Sequence, residues 1–158
     1  MNNVRQQGLS ITAGRVVCAA SGIDGPGTVI VRDGAVASIE SASAHPADPS
    51  LTKQTSGSET NLTFPEGILL PGLIDLHAHP AKRGSVFGTD PDSTMLARGT
   101  TIVQSQGDVG ADGVEEFLAS TVDASQSRVL LALNLSRIGE SSSGGCFAEL
   151  AHADIDAC

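Results

Sequence analysis

The chain of 158 residues has no Trp and no Tyr, and its aromatic residues are four Phe. So little aromatic surface leaves almost nothing from which to build a platform for stacking bases. Basic residues are scarce as well: nine Lys and Arg stand against 18 Asp and Glu, a formal net charge of -9. An acidic surface is repelled by phosphate backbones and anionic lipids, so no nucleic acid and no membrane are expected as partners. No apolar run approaches the roughly 20 residues of a membrane span, and the opening MNNVRQQG lacks the apolar stretch of a secretory leader. The expectation is a cytoplasmic protein, in which the sequons at Asn61 and Asn134 carry no information. Cys18, Cys146 and Cys158 are scattered with no recognised zinc spacing and read as reduced thiols.

What the chain does have, near its start, is β-rich punctuation. Arg15-Val16-Val17 and Thr28-Val29-Ile30-Val31 are short β-branched segments separated by a Gly, Asp and Pro cluster over 21–27. Asp33-Gly34 marks a tight turn before Val36–Ile39. Strand, turn, strand, turn, strand implies a small antiparallel unit with no chemistry of its own. From 41 to 63 the composition shifts to Ser, Thr, Ala and Pro with no surviving period, which reads as a surface connection, and His45 within it as a solvated side chain.

The informative stretch is Pro71-Gly72-Leu73-Ile74-Asp75-Leu76-His77-Ala78-His79-Pro80. Leu73 to His79 has the apolar, branched character of a buried strand, in which alternate side chains share a face. Asp75, His77 and His79 would then line a polar front, with Ile74, Leu76 and Ala78 packed behind. Neutral imidazole is a good zinc ligand, and two imidazoles at i and i+2 can reach one ion. On the bare pair, an exposed polar face or chance spacing stays open beside metal binding, because protein zinc sites take three or four ligands.

Beyond the motif the pattern alternates. Thr100–Val103 is a β-branched run, Val129–Leu135 a second apolar run, and between them Val114, Phe117, Leu118 and Val122 recur at helical spacing. Strand, helix, strand implies parallel strands with helical crossovers. In that arrangement His77 and His79 fall at the carboxyl end of the first strand, where α/β barrels keep their active sites.

PGLIDLHAH resembles the first-strand signature of the amidohydrolase superfamily of metal-dependent hydrolases, and residues 9–40 resemble the opening strands of the small β-sandwich that accompanies the barrel there. RGTTIV, QGDVGADG and LALNLSRIG are similar to members described as deacetylases or dihydroorotase-like. Gln104 and Ser105 depart from the Asp and small residue that related sequences carry there, which leaves a site contact from that strand unassigned. The resemblance implies an α/β fold: a partial TIM-type barrel, its first three strand-helix units, preceded by a small β-sandwich segment. It divides the chain into 1–66, the sandwich portion with the surface linker 41–63, and 67–158, the truncated start of the barrel.

The resemblance further implies that His77 and His79 ligate a divalent metal, zinc by preference, with one or two ions in the full-length protein. The family's remaining ligands are a carboxylated lysine or a glutamate, two more histidines and a final aspartate. This chain offers no match for the lysine, the later histidines or the aspartate: Lys53 and Lys82 read as loop residues, and the tail offers Glu140, Cys146, Glu149, His152, Asp154, Asp156 and Cys158 without a ligand pattern. The expected activity is hydrolysis of a non-peptide C–N bond in a small-molecule amide, N-acyl or cyclic, with oligomerisation left open. Since a full barrel takes about 250 residues, the 158-residue chain alone is expected to be inactive, and marginally stable, aggregating or in need of a partner. The competing reading is a catalytically inactive remnant or an interaction module.

Overall fold

The computed structural model describes residues 8–43, 50–83, 85–140 and 149–158; His45 and Cys146, assigned above from sequence, lie outside them. The chain forms two compact units, Met1–Pro71 and Gly72–Cys158. Among the described residues no helix is long and apolar enough to cross a membrane.

The first unit is one five-stranded sheet. Its strands are β1 (Gly8–Cys18), β2 (Ile23–Arg32), β3 (Ala35–Ser41), β4 (Thr52–Ser56) and β5 (Glu59–Leu69), in the order β3-β2-β1-β5-β4. The hairpin between β2 and β3 turns on Asp33 (φ 51°) and Gly34 (φ 76°), the left-handed pair that a two-residue hairpin of the primed type requires. β1 runs antiparallel to β2 and parallel to β5, so the sheet is mixed. Its buried apolar side chains are Ala13 and Val16.

Two expectations change here. The segment 41–63 is not all connection, because β4 and the first half of β5 come from it. Thr52, Thr55, Thr60 and Thr63 are β-branched and suit a pleated, half-exposed surface despite their polarity, and the β4–β5 turn starts at Gly57 with φ 62°. A period of hydrophobicity never appears because neither face of β4 is buried. Over 1–66, where a portion of a β-sandwich is expected, the described residues form one sheet, and β5 continues past that boundary to Leu69.

The second unit is a parallel three-stranded sheet in sequential order: β6 (Leu73–Ala78), β7 (Thr100–Gln106) and β8 (Arg128–Ala132). The β6–β7 crossover holds α1 (Pro91–Thr94), whose first N–H groups, on Asp92 and Ser93, donate to the Asp90 carboxylate, and a 3-10 turn at Leu96–Arg98. The β7–β8 crossover holds α2 (Val114–Phe117), continued by a π-helical stretch over Leu118–Val122. Phe117, almost fully buried, packs with Val103 of β7, Val129 of β8, Val109 and Ala81 to form the core of this unit. Thus the helical spacing of Val114, Phe117 and Val122 is realised as a crossover, while the third unit's helix is absent among the described residues: after β8 there is only a 3-10 turn at Leu150–His152.

β6 departs from the buried strand expected of it. It is an edge strand, and Leu73, Ile74 and Leu76 are 51%, 58% and 65% exposed, so of the expected apolar back only Ala78 packs against the core. The alternation also breaks: Asp75 pairs with Val103 but Ala78 with Ser105, three steps on β6 against two on β7. Such a bulge re-aims side chains at a strand end, so Asp75 does not continue a single row with His77 and His79.

Candidate functional site

His77 is the penultimate residue of β6 and His79 lies just past its end. Their rings are 6.2 Å apart between centroids and nearly perpendicular, at 74°. The Asp75 carboxylate turns back along the chain and accepts the His77 backbone N–H at 3.0 Å, fixing the bulged end of the strand. The Leu76 carbonyl beside it accepts from the Gln106 side-chain amide at 2.6 Å, which ties the ends of β6 and β7 together.

The sequence reading missed Asp108. This residue follows β7 in the loop Gly107-Asp108-Val109-Gly110 and its side chain is fully buried. Its Oδ1 lies 3.2 Å from His79 Nδ1 and accepts from the Ser85 hydroxyl at 2.6 Å. Its Oδ2 accepts from the Ser105 hydroxyl. Gln104 and Ser105 belong to β7 itself, and the site contact left unassigned for this strand is supplied by Ser105 and Asp108 acting on His79. The signal available in sequence was a carboxylate bracketed by Gly107 and Gly110 at the end of a β-branched run, where strands of a parallel sheet present their functional loops.

The Asp108 loop is held from both sides. Gly107, with φ 82°, donates its N–H to the Ala132 carbonyl at 3.1 Å, and its own carbonyl accepts from the Asn134 side chain at 2.9 Å. Asn134 N–H donates to the Val109 carbonyl at 2.9 Å, and Glu140 N–H to the Asp108 carbonyl at 3.3 Å. Gly139 (φ 72°) passes so close that a Cβ there would lie 2.7 Å from the Asp108 carbonyl oxygen. The loops after β7 and β8 are thereby knitted into one support under His79. Phe87 covers another side of that imidazole, its ring centroid 6.2 Å away.

The other candidates lie elsewhere. Lys53 sits in β4 of the first unit, a strand and not a loop. Lys82, in the connection after β6, donates to Asp92 at 2.9 Å and to the Ala124 carbonyl at 2.8 Å. His152 is paired loosely with Glu149 at 4.0 Å, and Asp154 lies 3.5 Å from Arg137, which also grips Asp112. Among the described residues no group of three or more His, Cys, Asp or Glu side chains is gathered as a metal site. The donor set nonetheless suits half of one: two adjacent imidazoles, one with its Nδ1 engaged by a buried carboxylate and its Nε2 on the opposite side of the ring, as metal-ligating histidines are commonly held.

A mixed α/β protein with paired histidines at the carboxyl end of its first parallel strand is thus the class that fold and site define. No family model matches the chain. Among curated proteins it is similar to the dihydroorotase of Anaeromyxobacter sp. (strain K), 34% identical over 79 residues, and to that of Anaeromyxobacter dehalogenans (strain 2CP-C), 33% identical. The match takes in 50% of this chain and only 16% of each relative. Among solved structures, a dihydroorotase superposes with a TM-score of 0.73 at 22% identity, over 96% of this chain and 38% of that one. An adenine deaminase follows with a TM-score of 0.58 at 18% identity, over 91% and 35%. The L-hydantoinase of Arthrobacter aurescens gives 0.52 at 18%, over 78% and 27%. The chain shares its fold with a part of these solved structures, and it spans only a small part of the length of the curated relatives it matches.

Proposed function

We propose that this chain supplies the first two ligands, His77 and His79, of a divalent metal site in an enzyme that hydrolyses a small-molecule cyclic amide. The observation that carries this reading is the pair of imidazoles side by side at the carboxyl end of β6, with His79 anchored through Nδ1. Support for the cyclic amide comes from the dihydroorotase relatives and from the dihydroorotase and hydantoinase neighbours in fold; an N-acyl amide is the second substrate class to assay. On this reading β6, β7 and β8 are the first three strands of a TIM-type barrel. The side chains of Leu73, Ile74 and Leu76, exposed here, would fill barrel layers or meet a closing strand.

The chemistry that a divalent ion, zinc by preference, would supply is activation of water near neutral pH and polarisation of the amide carbonyl. The chain's own part is positional. His79, gripped through Nδ1, would offer Nε2 to the ion, and His77 would stand beside it on a backbone fixed by Asp75. In the net reaction the amide C–N bond breaks, the carbonyl carbon gains the water oxygen, and the nitrogen leaves with a proton. A group outside these two histidines must carry that proton, since both are committed to the ion.

The test is metal content and turnover of the protein isolated from its source. Elemental analysis should find zinc or another divalent ion in the wild type and lose it in the His77→Ala/His79→Ala variant, with ring-opening of a panel of cyclic amides lost in parallel. Metal retained at full stoichiometry in that variant would sink the assignment. Metal bound through the histidines without hydrolysis of any cyclic or N-acyl amide would sink the substrate class and favour a non-catalytic role.

A further inference from the structure

The group in this chain that invites a role beyond packing is the Asp108 carboxylate. It is the only buried acidic side chain among the described residues, and no Lys or Arg is among its hydrogen-bond partners. It is met by two serine hydroxyls and one imidazole nitrogen: Ser85 at 2.6 Å and His79 at 3.2 Å on Oδ1, and Ser105 on Oδ2. Burying a carboxylate is costly unless it is hydrogen-bonded.

We infer that Asp108 is a positioning residue, one that fixes the tautomer and ring orientation of His79 so that Nε2 is the atom offered to a metal ion. This inference rests on the metal-site reading above. A carboxylate only accepts hydrogen bonds, whereas a neutral imidazole carries one donor and one acceptor nitrogen. With Oδ1 facing Nδ1, the proton belongs on Nδ1, and Nε2 keeps its lone pair. The two hydroxyls hold the carboxylate in turn: Ser105 comes from β7, the strand that pairs with β6, and Ser85 from the connection after β6. Because the loop carrying Asp108 is bonded to Ala132, Asn134 and Glu140, the orientation of His79 is set by all three strands of the sheet rather than by β6 alone.

The inference assigns a purpose to three features of sequence that packing leaves idle. Ser105 is polar at a fully buried position in a strand otherwise rich in β-branched residues. Gly107 and Gly139 both take left-handed backbone beside the Asp108 loop, and at Gly139 a side chain would collide with the backbone of that loop. His79 lies past the last residue of β6, so strand pairing alone does not fix its ring.

The test combines two readouts on the full protein stripped of metal. The first is the nitrogen-15 spectrum of the metal-free wild type, in which His79 should show a protonated Nδ1 and a pyridine-like Nε2; an unprotonated Nδ1 overturns the inference without any variant. The second is zinc affinity by competition with a chromophoric chelator, for wild type, His79→Ala, Asp108→Asn and Ser105→Ala. Asp108→Asn keeps shape and hydroxyl partners but can donate to Nδ1, which permits the wrong tautomer, so affinity should fall about 10- to 100-fold with an unchanged circular dichroism spectrum. Ser105→Ala, which loosens the carboxylate without touching His79, should fall less and is the fallback if Asp108→Asn does not fold. If both folded variants bind zinc within twofold of wild type while His79→Ala does not bind, Asp108 has no positioning role and the metal reading stands. If His79→Ala binds zinc as the wild type does, the metal reading fails and takes this inference with it.

Discussion

The two units of the chain handle polar groups in opposite ways. In the first, polar side chains pair across strands on the surface: Ser10 with Asn61, Thr12 with Thr28, Arg15 with Asp24 and Arg32 with Glu59. In the second, they go inside. Ser105, Asp108, Thr121, Ser127 and Ser136, the buried polar residues among the described part of the chain, all belong to the second unit. Surface pairs in water contribute little and can be exchanged freely, whereas a buried polar group is costly unless it is satisfied where it stands, as Ser105, Asp108, Thr121 and Ser127 are and the Ser136 hydroxyl, among the described residues, is not. The contrast separates a sheet whose polar pairs lie at its surface from one that holds particular polar atoms inside.

The sharpest way to break that contrast is through the small core on which the second unit depends. Phe117 is its largest fully buried side chain and touches both neighbouring strands' contributions, Val103 and Val129. Phe117→Ala should cost about 3–5 kcal/mol, from lost transfer energy and the cavity left behind. Denaturant unfolding followed by hydrogen exchange would localise the loss, which should fall on amides of β7 and β8. A loss spread equally over β1, β2 and β5 would mean that the two units unfold as one.

Asp92 offers the next effect and carries a pH dependence. Its carboxylate accepts from the backbone N–H groups of Ser127 and Gln126, from the Ser127 hydroxyl and from Lys82, joining α1 to the segment before β8. These bonds, the Ser127 N–H foremost, hold its pKa well below the ordinary carboxylate range, against the opposing effect of partial burial. A carboxyl whose folded pKa is depressed contributes stability that is fully present above the unfolded value, about 3.9, and lost as pH falls towards the folded value. Asp92→Asn should therefore destabilise by about 2 kcal/mol at neutral pH and flatten the decline in stability below pH 4. Asp24, also depressed by its bond to Arg15 but exposed at the surface, is the counterpart in the first unit; Asp24→Asn should leave the melting temperature unchanged. Equal responses from the two aspartates would erase the distinction drawn between the units.

Legibility in the sequence follows the same division. The hairpin at Asp33-Gly34 and the crossover over Val114–Val122 could be read directly, because local backbone chemistry and helical spacing decide them. β4 could not, since Thr52–Ser56 has no buried face to produce a hydrophobic period. His77 and His79 could be picked out from their spacing at a strand end, but Asp108 could not be assigned to them: 29 residues separate Asp108 from His79, and their contact exists only because β6 and β7 pair in parallel. Asp75 shows the reverse error. Strict alternation puts it beside the histidines, and only the register shift before Ala78 removes it.

The smallest expected effect probes an apolar surface that fits neither half of the contrast. Leu73, Ile74 and Leu76 of β6 are neither buried nor polar, and Leu76 is 65% exposed. In the 158-residue chain Leu76→Ser should change stability by less than about 0.5 kcal/mol, as substitutions of exposed side chains do, while reducing aggregation, because an edge strand with bare apolar residues is a template for association. In the protein isolated from its source the same substitution distinguishes two situations. A strand or partner seated against β6 would convert the change into the loss of a buried leucine, about 2–5 kcal/mol. A value that stays near zero in both would mean that β6 ends the sheet in the native protein too, and that the three parallel strands are not the beginning of a closed barrel.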